Sequence, residues 1–275
     1  MSEDLVFQLS GSAPVNYERF VGPFMAPFVD AVIMRARLSS GSSLLDVACG
    51  TGLVARAAAW VVGPNGRVVG LDVNAGMLEV ARELSRDLRP SIEWREASAL
   101  DMPFEDGGFD AIVCQQGAQF FPDLERAFTE MYRVAAPGAR IVVSFWAGTG
   151  HSPYLDASNR AFEEFMGSES VASLKRGLAL DPYHVASHCK SAGLEAVTIE
   201  TIEAEVRLPP MEIFVPGHAG SLPLADAFAR LPRNRREQLA SGIDETLAPY
   251  RQADQTMFVP FVSHIVTGER PGASS

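Results

Sequence analysis

Asp46, Gly50, Gly52 and Asp72 are the residues of this 275-residue chain whose types and spacing suit chemistry best. The first three lie in the run Leu44-Leu45-Asp46-Val47-Ala48-Cys49-Gly50-Thr51-Gly52, between a stretch that reads as a strand and one that reads as a helix. Glycines in such a turn let the backbone approach a ligand closely and expose N–H groups at a helix N-terminus. Gly50-x-Gly52-x-x-Ala55 formally matches the dinucleotide fingerprint, and Asp72 falls 20 residues after Gly52, where a ribose-binding carboxylate belongs. Asp46 argues for a different ligand. A pyrophosphate beside it would be repelled, whereas an ammonium or sulfonium group would be attracted. S-adenosylmethionine carries both and no phosphate. Under either reading Asp72 accepts hydrogen bonds from a ribose diol.

Alternating elements must position these residues. Strands are predicted at 43–48, 67–72, 92–96, 110–115 and 140–146, with helices at 53–62, 75–88 and 124–135 between them. Such alternation predicts parallel β-α-β units with right-handed crossovers and both sheet faces covered. The helix at 53–62 has no polar face beyond Arg56 and is expected to be buried. Later come helices at 152–166 and 181–192, a strand at 195–208, a Pro-rich helical insertion at 209–250 and a last strand at 256–266. Residues 1–13 and 268–275 read as tails. The whole, 1–275, is expected to be one domain. It comprises an N-terminal helical lid at 14–38, a core at 40–146, cap insertions at 147–180 and 209–255, and last strands at 195–208 and 256–267.

Composition narrows the classes. Apolar residues make up 47% and charged ones 21%, a globular rather than a disordered balance. The net charge is -11, so a phosphate backbone is repelled and no nucleic-acid partner is expected. The start of the chain is acidic, and its longest apolar stretch, 57–62, is far short of the roughly 20 residues of a spanning helix. No membrane association is expected, and the three scattered cysteines fit a cytoplasmic location. The five histidines show no ligand spacing, so no metal is expected.

Further motifs follow in order. The nonapeptide at 44–52 resembles the first motif of class I S-adenosylmethionine-dependent methyltransferases. Val69-Gly70-Leu71-Asp72 with Asn74-x-x-Met77 resembles their second. Ala97–Phe104, Gly108–Val113 and Arg133–Gly138 resemble the later motifs of the quinone-biosynthesis-like subgroup, methyltransferase type 11. The resemblance covers about 40–146. It implies an α/β, Rossmann-like doubly wound, mostly parallel seven-stranded sheet with helical cap insertions, and S-adenosylmethionine as cofactor. It also implies residue roles. Ala48, Gly50, Thr51 and Gly52 wrap the amino-acid end, with Asp46 holding the loop or the ammonium. Asp72 meets the ribose, Val73 beside it is a further cofactor-binding residue, Met77 packs on the adenine, and Ser98 and Ala99 meet its edge. Gln115 and Gln116 line the methyl-donor end, and Tyr17 closes over the cofactor. Where Ser98 stands the family usually has an acid, so the adenine amino group gains a weaker acceptor here.

Methyl transfer from a sulfonium expels a neutral leaving group, so alignment alone can supply much of the catalysis, about 7–11 kcal/mol. No triad is needed and none is present. The expected acceptor is a small apolar or aromatic molecule held near Phe120, Trp146 and Tyr154. His151 and His218 are the candidates for a base. An NAD-dependent oxidoreductase and a non-catalytic adenosyl-cofactor-binding protein are the alternatives. Whether oxygen, nitrogen or carbon is methylated, and the oligomeric state, are left open by the sequence.

Overall fold

The structure, a computed structural model, describes Leu9 and residues 11–272. The remainder of the two expected tails, 1–8, Ser10 and 273–275, lies outside the described residues. Helix α1 (Ala13–Asn16) runs through a π-helical turn, Tyr17–Val21, into α2 (Gly22–Ala36). The alternating core follows: β1 (Ser43–Val47), α3 (Leu53–Val62), β2 (Arg67–Asp72), α4 (Ala75–Ser85), β3 (Glu93–Glu96), β4 (Phe109–Gln115), α5 (Leu124–Val134) and β5 (Ala135–Trp146). The second half comprises α6 (Pro153–Met166), α7 (Ala172–Gly177), α8 (Pro182–Ser191), β6 (Glu195–Leu208), α9 (Met211–Ala219), α10 (Ala225–Arg230), α11 (Arg233–Thr246) and β7 (Met257–Glu269).

The strands form one sheet in the order β3-β2-β1-β4-β5-β7-β6. β1 to β5 pair in parallel, and β7 inserts antiparallel between β5 and β6. This is the mostly parallel, seven-stranded, doubly wound sheet expected. From β1 the connections step out to β2 and β3, then return to β4 on its other side. The crevice between the carboxyl ends of β1 and β4 is therefore a topological switch point, where open α/β sheets bind ligands.

Two expectations need correction. Leu9 and Ala13 are not part of a loose tail. Both are buried, and the Leu9 carbonyl accepts a hydrogen bond from Asn74 Nδ2 at 2.9 Å. Nor is α3 buried on all sides. Val54, Ala55, Ala58, Ala59 and Val62 face the core, while Trp60 is 77% exposed and Val61 42%. The helix lies on the outside of the sheet beside α2, so only the face formed by these smaller residues is covered.

The inserts join one another rather than forming a separate sheet. Side chains of α2, α6, α9, α10 and α11 share a single core with the near ends of β6 and β7, including Phe24, Phe28, Phe162, Phe214, Phe228 and Phe261. That cluster sits at the carboxyl rim of the parallel strands and meets the switch-point crevice.

Candidate active site

The loop after β1 has its shape fixed mainly from outside itself. Ala48, Gly50 and Gly52 all take positive φ, at 54°, 55° and 83°. The Cys49 N–H donates to the Leu71 carbonyl at 3.0 Å, and the Gly50 N–H donates to Asp72 Oδ2 at 2.8 Å. The end of β2 thus stitches down the end of β1. Asp72 Oδ1 accepts from the Asn74 N–H at 2.8 Å, and Asn74 Oδ1 in turn caps α4 by accepting from the Met77 N–H at 3.0 Å. Asp46 lies beneath the loop, 1% exposed, and its Oδ2 accepts from the Ala55 N–H at 3.0 Å, tying β1 to the first turn of α3.

Gly50 and Gly52 differ in what surrounds them. A Cβ on Gly50 would find only the Met77 methyl, at 3.8 Å, and would otherwise enter the cavity. A Cβ on Gly52 would lie 2.3 Å from the Trp94 ring. That ring also covers Gly70 of β2 and is held by a hydrogen bond from Nε1 to Ser85 Oγ at 3.1 Å. Gly52 therefore faces Trp94 and is absent from the cavity lining, which departs from the sequence expectation. Its glycine is required by packing and by its left-handed φ.

Burial governs the electrostatics. Asp46 is pushed up to about 8 by loss of solvation and, secondarily, by the charge of Asp72. Asp72 is raised for the same first reason, against the pull of the backbone N–H groups it accepts from. Enclosure, then the charges of Asp72 and Glu18, raise the Tyr17 phenol above its ordinary range. Asp46, Asp72 and Tyr17 line one continuous cavity.

The structure brings most of the expected residues to that cavity: Tyr17, Asp46, Ala48, Gly50, Thr51, Asp72, Val73, Met77, Ser98, Ala99, Gln115, Gln116, Phe120, Trp146 and His218 all line it. His151 does not. It is exposed on the turn after β5 and is withdrawn as a candidate base. Tyr154 is also off the lining. It is fully buried one layer back, with its hydroxyl 2.8 Å from His218 Nδ1. Ser98 Oγ already accepts from the Leu100 N–H at 3.1 Å. Sequence reasoning missed Phe24 and Met25 of α2, Gln119, and Asn159 of α6. Phe162, within the cap insertion at 147–180, also lines the cavity, but nothing in the spacing shows which side of its helix faces inward.

The polar lining, acceptors with one hydroxyl, suits the ammonium and hydroxyl groups of an adenosyl amino acid. Thr51 Oγ1, Gln116 Oε1 and Gln119 Oε1 line the cavity, are enclosed, and lack a hydrogen-bond partner among the described residues. Such orphaned groups await a polar ligand. Met77, Ala99 and Leu100 offer an apolar slot on the β2–β3 side, and Gly50 leaves a gap at the loop. Among the described residues no group of three or more His, Cys, Asp or Glu side chains could hold a metal, and no helix is long and apolar enough to cross a membrane.

Comparison with known proteins agrees with this arrangement. A family model described as a methyltransferase domain matches residues 45–143, which run from β1 into β5. A demethylmenaquinone methyltransferase of Lactococcus lactis is 36% identical over 144 residues, covering 50% of this chain and 56% of the relative. A 2-phytyl-1,4-naphtoquinone methyltransferase of Nostoc punctiforme is 39% identical over 143 residues, covering 51% and 60%. The chain thus spans little more than half the length of these relatives. A ubiquinone/menaquinone biosynthesis C-methyltransferase of Pseudomonas savastanoi is 35% identical over 180 residues, covering 61% of this chain and 70% of the relative. In fold, the chain resembles a Haemonchus contortus phosphoethanolamine N-methyltransferase solved with S-adenosylhomocysteine, with a TM-score of 0.60 at 21% identity, over 94% of this chain and 57% of that one. With the glycine loop, the β2 acid and the sheet order in place, the chain belongs to the S-adenosylmethionine-dependent methyltransferases that carry this domain.

Proposed function

We propose that the chain transfers a methyl group from S-adenosylmethionine to a small, largely apolar molecule. The observation that carries this reading is the continuity of one cavity, from the Gly50 loop and Asp72 to an apolar chamber under α6 and α9. Bound S-adenosylmethionine supplies an electrophilic methyl on a sulfonium, which departs as a neutral thioether.

The protein's part is to bind, align and exclude water. The Ala48–Thr51 backbone holds the amino-acid end, with Asp46 fastening that loop to α3. Asp72 accepts from the ribose hydroxyls. Met77 and Ala99 pack on the adenine, and Ser98 meets its edge. Gln115, Gln116 and Tyr17 border the methyl. Phe24, Phe120, Trp146 and Phe162 make the acceptor chamber apolar and aromatic, and such rings also favour a neighbouring cation. The segments at 147–180 and 209–255 act as the cap, and 14–38 as the lid.

The relatives' names point to a quinone-type acceptor as the first class to try. The test is transfer of label from methyl-labelled S-adenosylmethionine to a panel of hydroquinones, naphthols and aromatic amines, read in the organic extract. Labelled product with the intact chain, reduced at least tenfold in Asp72→Ala, supports the reading. Labelled product that persists equally in Asp72→Ala would remove it.

A further inference from the structure

Tyr154 and His218 meet from α6 and α9, with the hydroxyl oxygen 2.8 Å from Nδ1. Both are buried, at 0% and 5% exposure. Among the described residues the Tyr154 hydroxyl has no other hydrogen-bond partner, so its proton has a single acceptor in reach there. Leaving an enclosed O–H without an acceptor forfeits its hydration with nothing in return. That cost selects the tautomer in which Nδ1 is bare and accepts from Tyr154, which places the histidine's proton on Nε2. Burial beside Phe24, Phe162 and Phe214 holds His218 neutral, with its pKa pushed down to about 3, and holds the phenol protonated. Nε2 has no hydrogen-bond partner among the described residues, and His218 lines the cavity.

We propose that Tyr154 locks His218 as a hydrogen-bond donor, through Nε2–H, to an oxygen of the methyl acceptor, so that the chamber selects an apolar molecule bearing a carbonyl or phenolate-type oxygen. The inference rests on the methyltransferase reading and specifies its acceptor. It changes the role expected of His218 from base to donor: burial disfavours the imidazolium that a base would become, while the Tyr154 contact leaves the ring's proton on Nε2, toward the cavity. It also disfavours an amine methylated on its nitrogen there, because the one lone pair must face the methyl and only N–H groups are left to meet Nε2–H. His218 is the residue that touches the acceptor, and Tyr154 is a positioning residue acting through it. Asn159, on the inward face of α6 with Leu155 and Phe162, offers a second polar contact on the same wall. Both Tyr154 and His218 lie outside the 45–143 segment that the family model matches, in the cap helices α6 and α9.

The test uses the full chain, labelled with 15N-histidine and saturated with S-adenosylhomocysteine. Long-range 1H–15N spectra report the tautomer, with His218 assigned by its loss in His218→Leu. The wild type should show a protonated Nε2 and a bare Nδ1 at neutral pH, and Tyr154→Phe should mix the tautomers. In parallel, binding of 1-tetralone is compared with that of tetralin, the same skeleton without oxygen. The ketone-to-hydrocarbon affinity ratio should fall about fivefold or more in His218→Leu and less in Tyr154→Phe, with S-adenosylhomocysteine affinity unmoved. A protonated Nδ1 in the wild type, or a ratio unchanged in His218→Leu while S-adenosylhomocysteine still binds, overturns the proposal alone. A wild type that fails to bind S-adenosylhomocysteine overturns the methyltransferase reading and this inference with it.

Discussion

The Gly50 N–H donates to Asp72 Oδ2 at 2.8 Å, so the acid at the end of β2 also sets the shape of the loop at the end of β1. In the proposed function Asp72 has two tasks, one toward the loop and one toward the ribose. Asp72→Ala removes both. Hydrogen bonds to a charged group contribute about 1.5–3 kcal/mol, so S-adenosylhomocysteine affinity should drop at least tenfold and the melting temperature should fall too. Asp72→Asn keeps an oxygen acceptor and should recover more of the melting temperature than of the affinity. Calorimetry beside thermal melts separates the two, and unchanged affinity in both variants would detach Asp72 from the ligand.

Gly50 and Gly52 should respond oppositely to alanine. The Gly52 Cβ would collide with Trp94 at a φ of 83°, so Gly52→Ala is expected to lower stability even without ligand. The Gly50 Cβ would project into the cavity with only Met77 near it, so Gly50→Ala is expected to weaken cofactor binding most, with a stability cost of about 1–2 kcal/mol from its left-handed backbone. Melting curves and titrations of both variants check this. Normal stability in Gly52→Ala would mean that Trp94 does not cover the loop.

These glycines also show what the sequence can and cannot convey. The loop at 44–52 is local, and its glycines announce a tight strand-to-helix turn without any knowledge of the rest of the chain. That Gly52 is enforced by Trp94 depends on the register of β2 against β3, in which Gly70 sits beside Trp94. Periodicity does not encode such a register. The same holds for Tyr154 and His218, 64 residues apart, whose pairing needs α6 and α9 to fold onto one another. His151 and His218 look alike in sequence, each following an apolar segment. Only the packing exposes the first and buries the second. The mostly parallel core was legible because each β-α-β unit is consecutive, whereas the insertion of β7 between β5 and β6 is a non-local choice.

Asp46 predicts a pH dependence. Its carboxyl is raised from 3.8 to about 8 in the folded chain, so the folded state favours the protonated form. The associated stability is present below the ordinary carboxylate range and is lost as pH rises through about 8. Denaturant melts of the ligand-free chain from about pH 5 to about pH 9 should therefore show a decline that Asp46→Asn reduces. A variant whose slope matches the wild type would contradict the assignment. His218, whose pKa is depressed, acts in the other direction, and its contribution is lost as pH falls from 6.5 toward about 3.

Ser98 lines the adenine side of the cavity, but its Oγ is already engaged by the Leu100 N–H. Ser98→Asp would keep an oxygen for that turn and offer a second to an exocyclic amino group. It is expected to tighten S-adenosylhomocysteine binding by up to about tenfold, the scale of one hydrogen bond to a charged group. Competition by an analogue lacking the amino group, in which the gain should vanish, identifies the contact. An equal gain for both ligands would place the adenine elsewhere.

The central claim is that the loop and acid at the β1–β2 rim bind an adenosyl amino acid rather than a dinucleotide. Titration calorimetry of the intact chain with S-adenosylhomocysteine and, separately, with NAD tests it most directly. The account predicts saturable one-to-one binding of S-adenosylhomocysteine and no heat of binding with NAD. Saturable NAD binding with none of S-adenosylhomocysteine would contradict it.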